Sequence, residues 1–167
     1  MITRKTVLSA MALIACAAAA PRAALAETLT THRIPAELAL EAVGEAVAEC
    51  ARQGYAETAI VVDADGVRQA VLRGDRAGAH TLDSAFHKAY TAASFRSDTS
   101  ALVERAKTGP IALLLAKLPH TLLVGGGLVI KLGDEVIGAI GAGGAPDADL
   151  DDNCARAGLD KIRDRLK

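Results

Sequence analysis

Two tight-turn signals, each set between apolar runs, constrain this chain more than any other feature. Asp65-Gly66 separates Ala59-Ile60-Val61-Val62 from Val67–Arg73, and Gly133-Asp134 separates Leu128–Leu132 from Val136–Gly141. Such dipeptides supply the positive φ that a short hairpin loop needs, so both pairs predict antiparallel hairpins. Helical spacing fills the rest. After Pro35, apolar residues recur at Leu38, Ala42, Val43, Ala46, Val47 and Cys50, and Gly54 is a natural stop. A Gly-rich loop, Gly74–Ala79, precedes a helix over about Leu82–Phe95. Asp98-Thr99-Ser100 can cap a shorter one running through Lys107. Asp147 and Asp149 open a last helix that ends near Leu166, with Lys161, Arg163 and Arg165 at the end the dipole favours. Ile111–Leu118 reads as helix or strand. The order helix, hairpin, two helices, hairpin, helix gives an α+β layered domain and argues against a parallel doubly wound sheet.

The first 26 residues have a different character. Arg4 and Lys5 precede an uncharged apolar run, Thr6–Ala20, and Ala24-Leu25-Ala26 offers small residues for a signal peptidase. The run is shorter than the roughly 20 residues of a membrane span. We expect a signal peptide over 1–26, cleavage before Glu27 and a periplasmic or secreted domain over 27–167. The rival reading is a lipoprotein anchored at Cys16, after Leu13-Ile14-Ala15. Cleavage at Glu27 removes three of the 19 basic residues and none of the 20 acidic ones, which takes the formal charge from -1 to -4. A mildly acidic domain gives no reason to expect nucleic acid. Cys50 and Cys154 remain. They form either a disulfide, which an oxidising compartment permits, or two separate buried thiols, the reading we favour from sequence.

Several chemistries fail. There is no Walker phosphate loop and no Gly-x-Ser-x-Gly elbow, and neither cysteine has a CxxC partner. No catalytic residue is assigned. Gly138, Gly141, Gly143 and Gly144 fall on or beside a strand, where glycine marks close approach of a ligand, a subunit or the last helix. The densest polar chemistry is His80–Thr91. His80, Ser84 and His87 share roughly one helical face at intervals of four and three. A neutral imidazole at a helix entry is a good donor to iron or zinc; the plainer reading is two surface histidines. Asp83 could join His80 and His87 only with strained geometry across two turns. His32 and His120 read as structural or exposed.

Ala59–Gly66, Arg73-Gly74-Asp75, Ser84-Ala85, Lys88–Ala93, Gly125–Gly127, Gly138–Gly141, Gly144-Ala145 and Asp151–Leu159 together resemble the GlcG/HbpS-like haem-binding family, in the right order over nearly all of residues 35–165. The resemblance implies about five antiparallel strands flanked by helices, a profilin-like layered domain, together with self-association and, in some exported members, haem binding. Two departures stand out. Asp75-Arg76-Ala77 replaces the usual Asp-Gly-Ala, and Gly143-Gly144-Ala145 replaces Ser-Gly-Ala. His80 is then the expected axial ligand to haem iron, with Thr81, Ser84 and His87 beside it. Arg73, Arg76 and Lys88 are available to the propionates. No Met remains after cleavage, which leaves His or Tyr as ligand. The expected function is haem storage, scavenging or sensing by a homo-oligomer without stable membrane insertion. The alternatives are binding or turnover of another small molecule, corrinoid or hydroxy acid, and a ligand-free assembly module.

Overall fold

Pro35, with φ -58°, fixes the entry to the first helix, and the computed structural model describes residues 28–109 and 114–167 around it. The expected leader, Cys16, Glu27 and the first part of Ile111–Leu118 lie outside the described residues. Helix α1 is Ala36–Arg52 and buries Leu38, Ala39, Ala42, Val43, Ala46 and Cys50, the stripe its spacing predicts. Strands β1 (Thr58–Asp63) and β2 (Arg68–Arg73) form the first hairpin. Asp63 Oδ1 accepts from the N–H groups of Asp65 (3.0 Å) and Val67 (2.9 Å), and Gly66 takes φ 80° in that turn. Helix α2 is His80–Phe95, two residues longer at its start than expected. Helix α3 is Thr99–Ala106, β3 is Gly127–Leu132, β4 is Glu135–Gly143 and α4 is Ala148–Arg163.

The four strands form one antiparallel sheet in the order β2-β1-β4-β3. That is one strand fewer than the resemblance implies, among the described residues; Ala116–Gly126 runs as turns and irregular backbone instead. The sheet is covered on both faces. Ile60 and Val62 of β1 and Ala139 of β4 meet Ala85, Phe86, Ala89, Ala92 and Ala93 of α2. Ala59, Val61, Ile137 and Ile140 meet α1 and α4. Successive β1 residues thus serve opposite layers.

With so few aromatics, the layers must lie close to gain dispersion contacts. Gly141 makes this possible: a Cβ there would collide with the backbone of Ala85 and Ala89 in α2. Gly141 and Gly143 are therefore explained by close packing of α2 rather than of the last helix, whereas Gly138 lies against the Val62 carbonyl and Gly144 against the Ala56 carbonyl. On the other face Gly158 of α4 sits against the Ala42 carbonyl of α1, and the Cys50–Cys154 disulfide joins the same two helices. The thiols expected to stay separate are joined.

The start of α3 also departs from expectation. Asp98 makes no side-chain cap bond; its Oδ1 accepts from Val129 N–H at 2.9 Å, while Thr99 Oγ1 accepts from Gly127 N–H at 2.9 Å. Two donors of the β3 edge outbid the helix terminus.

Candidate functional site

The chain enters α2 through a loop whose shape is set by local bonds. Arg73 Nη1 donates to Ala77 O (3.2 Å) across the loop. Thr81 Oγ1 donates to Gly78 O (2.6 Å), so the hydroxyl of Thr58, 2.6 Å away, must donate to Thr81. This buried pair anchors the first turn of α2 to the start of β1. His80 is exposed at that turn, and its ring folds over Gly78, where a Cβ would lie 2.6 Å from His80 Cε1. Arg76, in the same loop, takes φ 64°, a left-handed conformation in which a side chain is strained. This accounts for the glycine that the family resemblance leads one to expect there.

The six candidate residues do not form one cluster. His80 and Arg73 are exposed, Ser84 and His87 half-buried, and Thr81 and Lys88 buried. His80 and His87 are seven residues apart, about 10 Å along the axis at 1.5 Å per residue, so they do not share one metal ion. Ser84 Oγ donates weakly to Thr81 O (3.3 Å) and lies 2.5 Å from where a Gly143 Cβ would stand. It fills the space that a Ser at 143 would take. Lys88 points through the layer and is paired with Asp151, both nearly inaccessible. His32 is engaged by Glu135, with Nδ1 2.6 Å from Oε2.

Three features carry no local sequence signal. The first is the α2-side face of β2, which α2 leaves largely uncovered. Val71 pairs with Ile60 and Arg73 with Thr58, residues whose side chains face α2, so Val71 and Arg73 share that face. Val71 is nevertheless 44% exposed. At the other end the Arg68 guanidinium lies 3.5 Å from the centroid of the Phe86 ring, a cation–π contact. This face thus presents Val71 between two arginines, with Phe86 buried beneath Arg68.

The second is a group of four rings. His120, at φ 63°, brings its imidazole to His87 (centroids 5.3 Å apart), Tyr90 (5.7 Å) and Phe86 (5.8 Å). The third is a buried acid, Glu57, beside Asp151 and the disulfide. Burial first, then the Asp151 charge and a hydrogen bond to it, push the Glu57 carboxyl up to about 8, against a smaller opposing pull from Lys88. Its surroundings agree with a retained proton. Oε1 has no donor, and Cys50 Sγ, 3.3 Å from Oε2, has no proton to give as part of a disulfide. Glu57 also borders a cavity of about 550 Å³ lined by Val47, Tyr55, Gly74, Asp75 and Arg76.

The family model described as haem degrading protein HbpS-like matches residues 34–160. A double mutant of Streptomyces reticuli HbpS is similar at 38% identity, over 86% of this chain and 97% of that one, with a TM-score of 0.76. Klebsiella pneumoniae ORFY is similar at 24% identity, over 84% and 98% of the two chains, with a TM-score of 0.75. PduOC, solved as a complex with haem, shares the fold at 20% identity, over 78% and 96%, with a TM-score of 0.73. No curated protein matches the chain.

Proposed function

The chain belongs to the HbpS-like haem degrading protein family, and on that premise we propose that it is an exported haem-binding protein, serving haem storage, scavenging or sensing. The family match over residues 34–160 carries the reading. The residues present suit the group in three respects. Haem iron takes an imidazole nitrogen, and His80 is exposed at the start of α2. Haem needs an apolar surface, which the exposed Val71 supplies on the open face of β2. It needs cations for its propionates, and Arg68 and Arg73 flank that surface. The positive end of α2 favours the same anionic edge. Lys88 is withdrawn from this role by Asp151. When bound, haem supplies a redox-active iron; the chain's own contribution is to hold and orient it.

Haemin titration tests the assignment. The wild-type protein should give a Soret band that shifts on binding. In His80→Ala the shift should be lost and affinity should fall by about tenfold or more, about 1.4 kcal/mol. An unchanged Soret position and affinity would move the axial ligand to His87 or Tyr90. Protein purified from haem-replete cells without a Soret band would favour a corrinoid or hydroxy-acid ligand instead. Export rests on the 1–26 leader, and intact mass starting at Glu27 supports it, whereas a lipidated Cys16 refutes it. Self-association rests on the resemblance, and light scattering that gives a monomer at micromolar concentration refutes it.

A further inference from the structure

His87 and His120 bring two imidazole nitrogens together at the ring cluster. His120 Nδ1 lies 3.3 Å from His87 Nε2. While no ion is bound, one ring can donate to the other in a long N–H···N hydrogen bond, but the separation has a second meaning. It is the bite of two ligands on a tetrahedral ion. With metal–nitrogen bonds of about 2.0–2.1 Å and tetrahedral angles, two ligating nitrogens stand about 3.3–3.4 Å apart, whereas a right-angled pair stands about 2.9 Å apart.

We propose that His87 Nε2 and His120 Nδ1 form a surface site for a divalent tetrahedral metal ion of the Zn²⁺ class. Water fills the remaining positions, since the described residues contain no cluster of three or more His, Cys, Asp or Glu side chains able to hold a metal. Three features hold the two rings in place before any ion arrives. His87 is fixed on α2, and its own carbonyl accepts from Thr91 Oγ1 at 2.7 Å. Thr91 Oγ1 in turn accepts from Leu122 N–H at 2.9 Å, which ties the His120 loop to the same turn of helix. Phe86 and Tyr90 both pack against the His120 ring in edge-on geometry. Such preorganisation is what a two-ligand site needs to bind at all. Both ligating nitrogens must be unprotonated, which leaves His87 Nδ1 and His120 Nε2 to carry the ring protons. The site uses neither His80 nor the residues beside it in the α2 entry loop.

The test uses the tag-free, haem-free mature protein with ZnCl₂ in a calorimeter at pH 7.5, and CoCl₂ by absorption. One Zn²⁺ per chain with a micromolar dissociation constant, and Co²⁺ bands of tetrahedral intensity between about 500 and 700 nm, are expected. His87→Gln and His120→Gln should each weaken Zn²⁺ binding by about tenfold or more, while His80→Ala should leave it unchanged. Zn²⁺ binding that is absent, that survives either Gln variant, or that disappears in His80→Ala would overturn the site. Circular dichroism of both Gln variants guards against misreading a folding defect, and an octahedral Co²⁺ spectrum would refute the tetrahedral assignment.

Discussion

Removing the Cys50–Cys154 disulfide is expected to lower the unfolding free energy by about 4–5 kcal/mol. The bond joins residues 104 apart in sequence, and chain entropy for a loop of about 100 residues gives about 4.7 kcal/mol. Both cysteines are fully buried between α1 and α4, so a Cys50→Ala/Cys154→Ala variant also leaves a small void that adds to the loss. For a chain of this size each kcal/mol moves Tm by roughly 3–4 °C, so Tm should fall by about 10 °C or more. Urea unfolding of the oxidised protein, the reduced protein and the double variant measures the difference. A change below about 1 kcal/mol would mean that α1 and α4 stay associated in the unfolded chain and the cross-link constrains little.

Glu57 should make stability fall as pH rises. Its carboxyl is raised from 4.5 to about 8 in the folded protein. Below pH 4.5 both states hold the proton, and its stabilising effect is complete. Between about 4.5 and 8 the unfolded chain gives up the proton while the folded chain keeps it, at a cost of about 1.4 kcal/mol per pH unit. Above about 8 both states are ionised and the contribution is gone. Glu57→Gln keeps the shape and removes the titration, and its amide can donate to Asp151. At pH 5 the variant should match the wild type within about 1 kcal/mol, and at pH 8.5 it should be more stable by on the order of 3 kcal/mol. Parallel urea curves across pH 5–9 measure this, and identical slopes for the two proteins would show that Glu57 is not the titrating group.

What was legible in the sequence was local. Asp65-Gly66 and Gly133-Asp134 marked both hairpins because a turn's chemistry is contained in adjacent residues. Pro35 marked a helix start for the same reason. Lys88 was harder. It lies three residues from Ala85 and four from Ala92, on the stripe that α2 buries, and that spacing was readable; its partner Asp151 is 63 residues away and gave no warning. His120 looked solitary because only a left-handed turn, 33 residues after His87, carries its ring back to α2. The disulfide depended on α1 and α4 lying side by side, which follows from sheet order and not from cysteine spacing. Arg68 and Val71 read as ordinary strand residues. Their importance comes from α2 covering β1, β3 and β4 while leaving β2 largely bare.

That bare strand bears on how the protein avoids clumping. β2 is an outer strand with open backbone groups and exposed Val71 and Leu72, the kind of border on which a second chain can add itself and start an aggregate. The hairpin carries an arginine at each end of this segment. If two copies lined up head to tail about Ala70 and Val71, Arg68 of each would face Arg73 of the other, and like charges directly opposite repel. These two arginines therefore act as guards against that pairing.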